Sequence, residues 1–173
     1  MISQDRTKAW GFAVFADDIR FEVGGKTSLM GMYQSDMVFP DSMKFPIIIP
    51  RLIIQVMYYE IVGAIEDDIS FKVTYARDMT IAEVPVLRKD LATAATSAAT
   101  AARDEPDEEP ERIFHIRLPI GISPWSLTEF GRLKVRAHYG NGAVLKLGSM
   151  VVKQMPDVEF QAVTGLLPSA PQR

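Results

Sequence analysis

Apolar residues recur at every second position along most of this chain. In Ile69–Tyr75 (ISFKVTY), Ile69, Phe71, Val73 and Tyr75 share one face, and Ser70, Lys72 and Thr74 share the other. Residues 113–120 (IFHIRLPI) set Phe114, Ile116, Leu118 and Ile120 against His115 and Arg117. A period of two marks a strand with one face on a core and one in water. The same reading predicts strands at 10–15, 19–23, 28–33, 47–59, 80–86, 131–139 and 143–153. Short strands separated by Gly, Pro, Asn and Asp turns point to an all-β fold, an antiparallel β-sandwich.

One hairpin is specified to the residue. Leu133, Val135 and Ala137 lie on one face of 131–139, with Arg132, Lys134, Arg136 and His138 on the other. A two-residue Asn141-Gly142 turn would set Lys146 opposite Ala137, on the core face. A three-residue Gly140-Asn141-Gly142 turn instead pairs Ala137 with Leu145 and Val135 with Leu147. A one-residue slip exchanges the two faces, so the longer turn is expected, with Gly142 in the left-handed position.

The pattern stops at 88–112. LATAATSAATAA is low in complexity, and RDEPDEEPER is dense in acid with two prolines, a composition suited to a solvated loop. We read this stretch as an Ala-rich and acidic insertion between core strands of one sandwich domain, residues 1–153. Residues 154–173 are expected as a C-terminal tail.

Composition narrows the chemistry. With 173 residues and 47% hydrophobic content, the chain can bury a substantial core. A net charge of −3 argues against nucleic acid, whose binding rests on Lys and Arg. The absence of cysteine excludes disulfides, thiolate metal sites and cysteine nucleophiles. Charges in MISQDRTKAWGF do not fit a signal peptide, and FPIIIPRLIIQVMYY is interrupted by Pro46, Pro50, Arg51 and Gln55. A cytoplasmic protein without membrane contact is the expectation.

Four candidate sites follow. The GKT at Gly25-Lys26-Thr27 ends like a phosphate-binding loop, but the first glycine of that motif falls on Arg20, and no helix pattern follows. Gly24-Gly25 is better read as a hairpin turn. Gly121-Ile122-Ser123-Pro124-Trp125 lacks the last glycine of a nucleophile elbow and is read as a loop. The only histidines, His115 and His138, sit on outward strand faces without zinc spacing. No catalytic residue, metal or cofactor is therefore assigned. The pairs Asp17-Asp18 and Asp67-Asp68 lie at expected turns. They offer the alternative of a calcium- or small-ligand-binding sandwich resembling C2 domains. Arg132, Lys134, Arg136 and Lys146 should project from one side of the last hairpin, as a basic face for a partner or for the acidic run 104–111, or as a solvated outer face that discourages edge aggregation, which is the favoured reading.

Two resemblances complete the reading. Residues 129–135 (EFGRLKV) resemble the D-x-G-x-Y-x-C signature leading into strand F of immunoglobulin domains, with Leu133 in place of the tyrosine and Val135 in place of the cysteine. The stretch 16–33 (ADDIRFEVGGKTSLMGMY), followed by FP and a long hydrophobic strand, resembles a family of uncharacterised bacterial proteins, a domain of unknown function. That resemblance implies a bacterial, immunoglobulin-like β-sandwich and no activity. The resulting expectation is a non-enzymatic interaction or assembly module, with a protein partner or self-association.

Overall fold

The computed structural model describes residues 9–61, 63, 66–89 and 113–165. Its strands are β1 (Ala9–Ala16), β2 (Asp18–Phe21), β3 (Thr27–Met30), β4 (Asp36–Pro40), β5 (Ile47–Ile49) and β6 (Leu52–Ile61). They continue with β7 (Ile69–Tyr75), β8 (Met79–Val86), β9 (Ile113–Ile122), β10 (Trp125–Leu127), β11 (Gly131–Tyr139) and β12 (Val144–Met155). Helix α1 (Asp157–Thr164) follows.

Two sheets face each other. One is antiparallel, in the order β1-β6-β9. The other has the order β4-β12-β11-β7-β8, antiparallel except for the parallel pair β4–β12. Between them lie Leu52, Ile54, Val56 and Tyr58 of β6, Phe71 and Val73 of β7, Leu133, Val135 and Ala137 of β11, and Met150 and Val152 of β12, all in one buried cluster. Each fully buried large apolar side chain contributes about 1.5–3 kcal/mol relative to exposure. This is the antiparallel sandwich that the alternation predicts.

The sheets meet most closely where β1 crosses β12. A Cβ at Gly11 would lie 2.5 Å from the Met57 carbonyl oxygen and 2.8 Å from Leu147 Cδ2, and one at Gly148 would lie 3.2 Å from Ala13 Cβ. Backbone therefore replaces side chain at this seam, because no other residue leaves room.

The last hairpin turns through Gly140-Asn141-Gly142, with Gly142 at φ 85° and Ala137 opposite Leu145, as expected. The Ala143 N–H donates to Asn141 Oδ1 at 2.9 Å and fixes the turn. Val135, however, pairs with Gly148 rather than Leu147, because the register shifts between Val135 and Arg136. The bulge leaves Leu147 as the additional residue, and its side chain fills the space above Gly11.

Three further expectations change. The segment 47–59 is not one strand, since β5 ends before Pro50 and leaves to pair with β10, Ile47 opposite Leu127 and Ile49 opposite Trp125. Proline cannot donate to a ladder, so the break falls there. Trp125, expected in a loop, is thereby a strand residue. After Met155 the expected tail forms α1, which buries none of its residues and ends on Gly165 in the left-handed conformation. Most of the Ala-rich and acidic insertion, and the last eight residues, lie outside the described part. Among the described residues no helix is long and apolar enough to cross a membrane.

Candidate functional site

β6 (LIIQVMYYEI) carries large apolar residues on both faces, which a half-exposed strand does not need. Its inward set fills the core, and Ile53, Gln55, Met57 and Tyr59 point away from it. At one end this outer face is covered. Ile53 pairs with Ala16, both are buried outside the main core, and β2 with buried Ile19 packs against β6. Arg51 Nη1 and Asp18 Oδ1, 2.6 Å apart, tie the β2–β3 hairpin in place.

Toward the other end the face is open. Trp10 is 40% exposed, Phe12 48% and Ile113 51%. The ladder aligns residues in rows across the three strands: Trp10–Tyr59–His115, then Phe12–Met57–Arg117. In the first row the rings stand parallel. Trp10 and Tyr59 have centroids 5.6 Å apart at 8°, and Tyr59 and His115 are 4.5 Å apart at 0°. Burial and, secondarily, the Arg117 charge hold the His115 pKa below the usual imidazole range, so at neutral pH the ring stacks uncharged. Its Nε2 is buried and has no hydrogen-bond partner among the described residues. Tyr59, flanked by Trp10 on β1 and His115 on β9, has both ring faces stacked. The result is an apolar ridge with Arg117 as its one formal charge among the described residues of these rows.

Beneath the Trp10 end lies a buried polar cluster. Glu60, 1% exposed, receives Arg88 in a fork, Nη1 to Oε1 at 2.8 Å and Nη2 to Oε2 at 3.0 Å. The Tyr58 hydroxyl donates to Glu60 Oε2 at 2.5 Å and lies 3.3 Å from the Tyr139 hydroxyl. Burial first, and then the Glu60 hydrogen bond, push the Tyr58 pKa far above its ordinary value. Arg88 Nε also donates to the Asp67 carbonyl at 2.8 Å, and its backbone N–H to Asp68 Oδ1 at 2.7 Å. Both Glu60 oxygens are engaged, and the carboxylate is closed to a substrate. The cluster is a lock that joins β6 to the start of β7 and the end of β8.

The four aspartates are not brought together. Asp17 follows β1 next to Ile53, whereas Asp67 and Asp68 precede β7 beside Glu60. Because Ala16 pairs with Ile53 and Ala9 with Glu60, the two loops lie at opposite ends of β6, roughly 24 Å apart at the strand rise. A calcium site shared by both pairs does not fit this geometry. Asp17 instead accepts the Tyr33 hydroxyl at 2.5 Å. Among the described residues no cluster of three or more His, Asp or Glu is placed to hold a metal.

The basic residues do share one surface, the outer face of the five-stranded sheet, but acids occupy it as well. Lys134 Nζ lies 2.7 Å from Asp78 Oδ1, with Arg136 3.8 Å from the same oxygen. Lys134 holds the Asp78 carboxyl below its ordinary range. Arg132 Nη1 donates to Ser149 at 3.2 Å. Lys146 is exposed, and among the described residues no carboxylate is within ion-pair distance. His138 projects from this same face and His115 from the opposite side of the sandwich, so the two histidines cannot share an ion.

The remaining motifs are structural. Gly24 and Gly25 form the β2–β3 turn at φ 83° and 74°, with nothing within 4 Å of where a Cβ would stand and a strand rather than a helix after Lys26. The Ser123 hydroxyl donates to the Pro50 carbonyl at 2.8 Å. No single stretch of sequence marks the ring row, although the two-faced apolar pattern of β6 announces a covered or contacting outer surface. Compared with protein-family models, with curated proteins and with solved structures, the chain matches none of them.

Proposed function

We propose that the protein is a non-enzymatic interaction or assembly module, an immunoglobulin-like sandwich whose contact surface is the outer face of β1-β6-β9. The observation that carries this reading is the exposed Trp10–Tyr59–His115 row, continued by Phe12 and Met57, on a sheet whose other face already buries the core. The strand order supports the immunoglobulin-like part. β1, β6 and β9 take the places of strands A, B and E, and β7, β8, β11 and β12 those of C, C′, F and G. The Tyr75 hydroxyl, donating to the Glu129 carbonyl at 2.7 Å, ties from β7 the corner that a strand-F tyrosine ties in immunoglobulin domains. Ser123 bonded to backbone and the histidines on opposite faces support a binding role over a catalytic one.

The test is capture from cell lysate with three baits: the unaltered protein, a Trp10→Glu/Phe12→Glu variant and an Arg132→Glu/Arg136→Glu variant. The reading expects specific capture that the first variant loses and the second keeps, with both variants as thermally stable as the parent. Capture lost only with Arg132 and Arg136 would move the contact to the basic face. No specific capture by any bait, together with no self-association of the purified protein, would contradict the module reading.

A further inference from the structure

The open face is not uniform across its three strands. Its β1 side carries Trp10 and Phe12, two aromatic rings, while its β9 side carries His115 and Arg117, an imidazole and a guanidinium in the same two rows. The central strand carries Met57 and Tyr59. A two-fold axis lying between two such faces, along β6, sets β9 of each copy over β1 of the other. Arg117 then meets the second copy's Phe12, and His115 meets the second copy's Trp10. The two Arg117 guanidiniums are kept apart and each lies over the second copy's Phe12, the arrangement that the ring quadrupole favours, while uncharged His115 packs on Trp10. The face is self-complementary, as an isologous interface must be.

Area sets how tight such a pairing can be. Three strands at about 4.8 Å spacing and the two open rows at about 6.8 Å give a flat footprint of roughly 14 by 14 Å per copy. That is about a quarter of the ~800 Å² per partner in a stable complex, so the pairing is reversible and weaker than about 1 µM.

We infer that the occupant of this face is a second copy of the same chain, docked with its β9 over β1 and its Arg117 over Phe12. The inference rests on the module reading above and specifies its partner. The test is sedimentation velocity over a concentration series, with Trp10 fluorescence as a second readout; Trp125, the only other tryptophan, is buried. The unaltered protein is expected to pass reversibly from monomer to dimer, with a blue shift of Trp10 emission. Phe12→Lys places a cation against the second copy's Arg117 and should abolish the dimer. Phe12→Lys/Arg117→Glu places a lysine against a glutamate and should restore it. The parent fold of each variant is checked by circular dichroism, and Phe12 and Arg117 are both surface positions. A protein that stays monomeric at its highest soluble concentration overturns the inference; if lysate capture still depends on Trp10 and Phe12, the module reading survives without it. A dimer that ignores Phe12→Lys but is lost with Arg132→Glu/Arg136→Glu overturns both.

Discussion

Replacing Arg88 by methionine keeps the aliphatic stem and removes three hydrogen-bonding contacts. Two of them go to Glu60, at 2.8 and 3.0 Å, and one to the Asp67 carbonyl at 2.8 Å. Glu60 would be left with the Tyr58 hydroxyl as its donor, in a site only 1% exposed. Removing one partner of a buried ion pair costs about 3–5 kcal/mol. The Arg88 side chain is 21% exposed, so water can reach the gap it leaves, and the cost belongs near the lower end, about 2–4 kcal/mol. For a domain of this size that is a drop in Tm of about 5–15 °C. Glu60→Gln should cost less, because an unpaired Arg88 can turn its guanidinium to solvent and Glu60 cannot. The double variant Glu60→Gln/Arg88→Met buries no charge and should be more stable than Arg88→Met alone, a coupling of about 1–3 kcal/mol in a double-mutant cycle. Urea denaturation of the four proteins measures it. An Arg88→Met protein within about 1 kcal/mol of the parent, or costs that simply add, would refute the lock.

Two further outcomes follow from the packing and the tyrosines. Gly11→Ala drives a Cβ into the Met57 carbonyl, which belongs to the ladder and cannot swing aside. It should destabilise by about 1–3 kcal/mol in thermal or urea melts, and an unchanged melt would mean that the β1–β12 seam is looser than these distances imply. Burial raises the pKa of Tyr33, Tyr58 and Tyr139, and pushes that of Tyr75 from 10.0 up to about 12. An acid whose folded pKa is raised supports the fold below its unfolded value and loses that support as pH climbs through the folded one. The urea midpoint should therefore hold up to about pH 10 and fall between pH 10 and 12, with most of the phenolate absorbance arriving alongside unfolding. Phenolate absorbance complete before unfolding begins would contradict the burial of these hydroxyls.

What the chain announces by itself is local. The faces of Ile69–Tyr75 and the Gly140-Asn141-Gly142 turn follow from neighbours a few residues apart. The bulge, too, is written in the chain. Apolar positions run odd through Leu145 and Leu147 and then even through Met150 and Val152, a change of parity that an added residue produces. The break at Pro50 is visible as a proline, but the departure of β5 depends on Trp125–Leu127, far along the chain. The ring row likewise needs three strands brought side by side, and the Glu60–Arg88 fork needs the ends of β6 and β8 to meet. Such long-range pairings have no signature in any single window. The even spread of Asp17, Asp18, Asp67 and Asp68 over similar turns suggests one site, and only the antiparallel register of β1 and β6 puts them at opposite ends.

The most direct measurement is a map of backbone and side-chain amide chemical shifts as the protein is taken from dilute solution to its highest soluble concentration. The account predicts progressive shifts at Trp10, Phe12, Met57, Tyr59, His115 and Arg117, with Arg132, Lys134, Arg136 and Lys146 unmoved. Shifts confined to those four basic residues, or none on either face, would contradict it.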